Sequence, residues 1–147
     1  MKEKEIKVYI ASPYSHGWMP TNIKLQFDTA GELIDGGYFP HVPLLTHFME
    51  LYTHKEEAQW LEQDFVFLKV CDAVLRLNPV DENGVEIPSS GADQEVTLAL
   101  KEGIPVFYSI EELNDWRDNT FQTKLPLADL ADQEKLEKKW KDLTTDI

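Results

Sequence analysis

Four carboxylates, Asp64, Asp72, Asp93 and Glu95, have positions that could support chemistry, with Tyr9 and several serines near them once the chain is folded as a sheet. One carboxylate can attack an anomeric carbon and hold it as an ester while a second acidic group helps the leaving group depart, so the set suits glycosyl chemistry. Its centre is Pro88-Ser89-Ser90-Gly91-Ala92-Asp93-Gln94-Glu95-Val96, a loop running into a helix. Ser90 and Asp93 form an S-x-x-D variant of the capping signature, with Gly91 easing the turn. Glu95 then falls in the second helical turn, where its carboxylate projects over the strand ends while Val96, Ala99 and Leu100 pack down. A solvated surface glutamate satisfies the same spacing, and spacing alone leaves both readings open.

Other chemistry is less supported. Of the histidines His16, His41, His47 and His54, the last three are spaced by six and seven residues, which does not place them on one face of a short helix. No H-E-x-x-H is present, so no metal centre is expected, and His16 and His41, each following a strand end, suit a pocket wall instead. G-x-G-x-x-G after the first strand, the P-loop pattern, G-x-S-x-G and C-x-x-C are all missing, so no cofactor is expected.

Alternating strands and helices must position these residues. Ile6, Val8, Tyr9, Ile10 and Ala11 form a nearly continuous apolar strand, as in parallel sheets buried on both faces. Ser12-Pro13-Tyr14-Ser15-His16-Gly17 reads as the loop at its carboxyl end, the edge where open parallel sheets hold ligands. A helix from Pro20 presents Ile23, Phe27, Ala30 and Ile34 as its apolar face and ends at Gly36-Gly37. Phe39-Pro40-His41 is a short strand, and residues 44–52 a short helix or lid. Thr53 and Glu56 predict a capping box opening a helix with Ala58, Leu61, Phe65 and Leu68 on one face, bordered by Asp64. Cys71-Asp72 leads into Ala73-Val74-Leu75-Arg76-Leu77, with Asp72 at the amino end. Residues 78–88 form a polar hairpin or flap around the Asn83-Gly84 turn. Ile104-Pro105-Val106-Phe107-Tyr108 is the next strand, Ser109 and Glu112 cap a further helix, and a fifth strand fits near residues 121–125. The pattern is the βαβ signature of a single-domain Rossmann-like or flavodoxin-like α/β sandwich with a four- or five-stranded, mainly parallel sheet. One domain over residues 1–147 is expected, with a core at 5–116 and a closing helical segment at 126–144.

The formal charge of −13, from 27 acidic and 14 basic residues, repels a phosphate backbone and argues against nucleic-acid binding. A small anion is still compatible with it, since helix N-termini bind phosphate within acidic proteins. No apolar run approaches a membrane span, and the single cysteine, Cys71, fits a core position in a cytoplasmic protein.

Tyr9-Ile10-Ala11-Ser12-Pro13-Tyr14, Asp64 on a middle helix, Cys71-Asp72-Ala73-Val74, and Ser89-Ser90-Gly91-Ala92-Asp93-Gln94-Glu95 together resemble the nucleoside 2-deoxyribosyltransferase superfamily, across residues 6 to 108. That superfamily also holds nucleoside 5'-monophosphate N-glycosidases and phage and bacterial relatives. The resemblance implies a homodimer or larger homo-oligomer acting on a small-molecule nucleoside or nucleotide. It implies Glu95 as nucleophile, Tyr9 as its neighbour, and Asp72 or Asp64 as the group assisting the departing base. It places Ser12, Ser15, Gly17, Ser89 and Gly91 where phosphate-binding members cradle the 5'-phosphate, and His16 and Ser90, in the same two loops, are further candidates for substrate contact. Two features depart from the family pattern: a single glycine precedes the glutamate, and the first loop has no arginine, for which Arg76 is a substitute or else a structural ion pair. The implied activity is N-glycosidase cleavage of a (deoxy)nucleoside or its 5'-monophosphate. The alternatives are base exchange by a deoxyribosyltransferase, and a non-catalytic nucleotide sensor or interaction protein.

Overall fold

The computed structural model describes residues 4–121 and 130–144. Four parallel strands, β1 (Lys7–Ala11), β2 (Phe39–His41), β3 (Ala73–Arg76) and β4 (Val106–Phe107), form one sheet in the order β2-β1-β3-β4. Five helices lie among or after them: α1 (Met19–Asp35), α2 (Leu44–Glu50), α3 (Glu57–Lys69), α4 (Ser90–Lys101) and α5 (Ile110–Thr120). A sixth, α6, spans Leu130–Thr144. The architecture is the expected α/β sandwich, and the short Pro40-containing strand lies at an edge, where a missing N–H is tolerated.

Side chains alternate across a strand, so β1 supplies two cores. Val8 and Ile10 join Leu33 and Ala30 of α1, Leu75 of β3 and Leu113 of α5 on one face. Tyr9 and Ala11 join Leu68 of α3, Val74, and Ala92 and Ala99 of α4 on the other. Leu33, Leu75 and Leu113 are fully buried, and truncating any of them to alanine would cost about 2–5 kcal/mol. Arg117 of α5 ties that first layer together: its Nη1 donates to Gly36 O at 2.7 Å, and its guanidinium lies over the Tyr38 ring.

Helix α1 ends as the glycine pair predicts. Gly37 takes φ +89°, and Tyr38 N and Gly37 N donate to Leu33 O and Ile34 O, with Tyr38 folding back into the core beside Leu33. Its buried face differs from the predicted one. Phe27 and Ile34 are exposed, and Asn22, Gln26, Thr29, Ala30 and Leu33 are buried instead. The stripe turns because two amides on it hold loop carbonyls, which outweighs the exposure of one aromatic ring.

Two caps shift as well. α3 begins at Glu57 with Glu56 as N-cap and Gln59 completing the box, so Thr53 lies outside it. The N-cap of α4 is Ser89, whose Oγ accepts from Ala92 N at 3.2 Å; Ser90 is the first helical residue. Ser109 caps α5 as predicted, accepting from Glu112 N at 3.1 Å. Residues 78–88 form a small hairpin, with Val80 bridging Glu86, Gly84 at φ +77°, and Asp81 Oδ1 accepting from Asn83 N and Val85 N. The possible fifth strand near 121–125 lies almost wholly outside the described residues. On α6, Trp140 and Leu143 are exposed.

Candidate active site

The site is built at the carboxyl edge of the sheet, above β1. Here the chain leaves Ala11 through Ser12, Pro13 and Tyr14, and α1 secures this loop from beneath. Asn22, almost wholly buried, donates through Nδ2 to Tyr14 O and His16 O, at 3.0 and 2.5 Å. One turn later, Gln26 donates through Nε2 to Pro13 O at 3.0 Å. Gly17 closes the loop at φ +77°, where an added Cβ would lie 2.9 Å from Ile87 Cδ1. The first loop and the hairpin therefore meet at a position whose positive φ favours glycine, with the Ile87 side chain packed close against it.

Capping by Ser89 sets the phase of α4, so that Ala92, Glu95 and Ala99 share its buried face. Glu95 is only 8% exposed and looks onto Tyr9, which settles the open choice against a solvated surface side chain. From α3, Asp64 is 5% exposed, on the same face as Leu68 one turn on. It belongs to the buried stripe and does not merely border it. A cavity of about 50 Å³ lies between them. Asp64 and Glu95 line it together with Ser12 and Tyr14, Gln26 reaches it from the α1 layer, and Leu44 and His47 reach it from α2.

Electrostatics follow from this burial. Removal from water, then the charge of Asp64, pushes Glu95 up to about 8, against the opposing pulls of the Tyr9 hydroxyl and Arg76. Burial raises Asp64 to about 7. The Asp64 charge couples the two titrations and favours a single proton on the pair near neutrality, with Glu95 the more basic group. Burial and the nearby carboxylates keep the Tyr9 phenol protonated. Its Oη faces Glu95, yet no hydrogen bond of ordinary geometry joins it to a described residue. Ser12 Oγ, His41 Nε2 and Asp64 Oδ1 are also buried without a partner. Such atoms are rare in folded proteins; Ser12 and Asp64 line the cavity with Glu95, Tyr9 feels both carboxyls, and His41 lies behind Tyr9.

The other sequence-predicted residues take varied places. Ser15, His16 and Gly17 form an exposed rim, and Ser90 is exposed. Ser89 is committed to its cap, and Gly91 is half-buried beside it. Arg76 is buried at the end of β3, donating to Leu77 O and, at 3.2 Å, to the exposed Asp93 Oδ1, which is the ion-pair alternative. Asp72 is not part of the cluster. It precedes β3, and a residue entering a parallel strand lies at the amino edge, where its carboxylate accepts from Lys7 N at 2.8 Å and pairs with Lys4 Nζ at 3.0 Å.

Sequence reasoning missed Asn22, Gln26 and His47. For the amides a signal existed: Asn22, Gln26, Ala30 and Leu33 follow helical spacing as well as the apolar set does. His47 stacks on Tyr14 with ring centroids 4.4 Å apart, and burial lowers its pKa. His41 lies between Phe67, at 4.9 Å, and Tyr9, at 5.5 Å, whereas His54 is on the surface with Glu50. Among the described residues no group of side chains could hold a metal ion, and no helix is long and apolar enough to cross a membrane.

Residues 6–109 match the family described as "Domain of unknown function (DUF7768)", and the chain belongs to it. Its fold is that of 2-deoxyribosyltransferases. The enzyme from the psychrotolerant bacterium Bacillus psychrosaccharolyticus superposes with a TM-score of 0.54 at 20% identity, over 68% of this chain and 69% of that one. The 2-desoxiribosyltransferase from Leishmania mexicana superposes with a TM-score of 0.51 at 16% identity, over 70% of this chain and 63% of its own. No curated protein matches the sequence.

Proposed function

We propose that this protein cleaves the N-glycosidic bond of a (deoxy)nucleoside, with Glu95 as nucleophile and Asp64 as acid. The observation that carries the reading is the pair of buried carboxyls, Asp64 and Glu95, surrounded by unpartnered polar atoms at the sheet edge. The fold shared with 2-deoxyribosyltransferases supports the same reading. Glu95 is the more basic of the two, so the reactive form is the minor one with the proton on Asp64, and in it ionised Glu95 attacks C1' from the face opposite the base. The C1'–O bond forms as the C1'–N bond breaks, and the Asp64 proton passes to the leaving base nitrogen. Asp64, now a carboxylate, then takes a proton from the acceptor as the acceptor attacks C1', and the C1'–O bond to Glu95 breaks to free its carboxylate. Water as acceptor gives hydrolysis, and a second base gives transfer. Tyr9 steadies the Glu95 carboxylate, the role its position beneath the glutamate suits.

The cavity has room for one or two waters and is smaller than any nucleoside. Admitting a nucleoside therefore calls for movement of one wall, and we assign that movement to α2, which brings Leu44 and His47 to the cavity. The assembly is proposed to be a homodimer or larger homo-oligomer, and sedimentation of the purified chain tests that directly.

The decisive assay follows free base by chromatography across ribo- and deoxyribonucleosides and their 5'-monophosphates, with and without an acceptor base, using Glu95→Gln as control. Base release that this substitution abolishes is the expected result. A new nucleoside formed only when acceptor is present makes the enzyme a transferase. Identical silence from both proteins, with no nucleoside raising the melting temperature, sinks the proposal and favours an interaction protein.

A further inference from the structure

The two amides on α1 are not equivalent. Asn22 uses its Nδ2 to hold two loop carbonyls. Gln26 uses Nε2 for one, Pro13 O, and that contact fixes its orientation: a carbonyl can only accept, so the atom facing Pro13 O is the nitrogen. Gln26 also lines the cavity, and its Oε1 receives no hydrogen bond from the described residues. The cavity thus has acceptors on two sides, Gln26 from the α1 layer and Asp64 and Glu95 from the α3 and α4 layer. Such a wall repels a phosphate and suits a ligand rich in hydroxyl donors.

We infer that Gln26 is a specificity residue that reads the sugar: its Oε1 accepts a hydrogen bond from a furanose hydroxyl on the side of the ring away from Glu95. This rests on the glycosidic reading above and extends it to a residue outside the carboxyl pair. The loop anchor and the sugar contact use opposite ends of one amide, so the first makes the second precise in direction. An analogue lacking the hydroxyl leaves the oriented carbonyl unpaired in the closed complex, which costs about tenfold or more in kcat/KM.

The test compares a substrate nucleoside with its 2'-, 3'- and 5'-deoxy analogues on the wild-type chain and on Gln26→Met, which keeps the side-chain length without the amide. The expected result is a wild-type penalty of about tenfold or more for one analogue that shrinks to within about twofold in Q26M. Loss of the Pro13 anchor alone lowers all substrates by a common factor and leaves the penalty intact, which would overturn the assignment. Equal wild-type rates on every analogue would also overturn it, without any variant having to fold. Base release that depends on Glu95 shows the glycosidic reading intact while the Gln26 assignment fails. No base release from any nucleoside removes both together.

Discussion

Two aspartates, on opposite edges of one sheet, have opposite surroundings. At the amino edge, Asp72 accepts from a backbone N–H and pairs with a lysine. At the carboxyl edge, Asp64 is buried beside a second carboxyl with one oxygen unpartnered. The first is a clasp joining the N-terminal strand to β3. The second is held in a state unfavourable to an ionised carboxylate, as a group poised for proton transfer is. Polar satisfaction, more than residue type, separates the structural acid from the candidate catalytic one.

The contrast is most exposed to Asp64→Asn. Base release is expected to fall by about 10²- to 10⁴-fold, and by less for a nucleoside whose base is a better leaving group. A uniform loss across bases would speak against Asp64 as the acid. The pH dependence of stability should be next in size. Because Glu95 and Asp64 have raised pKa values in the fold, the native state holds protons that the unfolded chain releases. Stability contributed this way is complete below the ordinary carboxylate range and is lost as the pH rises from about 4.5 to about 8. The double variant Asp64→Asn/Glu95→Gln should therefore gain on the wild type across that interval, by a few kcal/mol at the upper end, as read by denaturant melts. A gain that is independent of pH would contradict the shared-proton picture.

Asp72→Ala should do the reverse of Asp64→Asn. About 1–2 kcal/mol of stability is lost with the Lys7 and Lys4 contacts, and base release by the folded protein stays within about twofold. Smallest of all is Lys24→Ala on the exposed face of α1, where the Lys24–Asp28 pair is solvated. A change below about 0.5 kcal/mol in a urea melt is expected.

Much of this was legible in the chain. The apolar runs of β1 and β3, the edge strand with Pro40 and the order of helices between them follow from local pattern. Asp64 and Glu95 stood out as carboxylates beside apolar helix faces, and the family resemblance pointed to them, while spacing left their burial open. Asp72 drew attention through the same resemblance, but its position immediately before β3 assigns it to the far edge. The Asn22 and Gln26 pair was hidden by Ile23 and Phe27, which make a more hydrophobic stripe. The winning face depends on which carbonyls the loop turns inward, a tertiary fact that side-chain periodicity does not carry. His47 was lost in a segment too short for periodicity to orient.

The hairpin has a practical use. Its tip is held by Asp81 and is exposed, while its base presses Ile87 against Gly17 of the loop above β1. The only native thiol, Cys71, is buried and pushed up to about 11, so it is a poor target for maleimide at neutral pH. Asn83→Cys therefore gives a protein that takes one fluorophore, at the tip of a hairpin whose base meets the loop beside the cavity through Ile87 and Gly17. Its emission becomes an optical gauge of whether that loop is seated, readable in real time and without turnover.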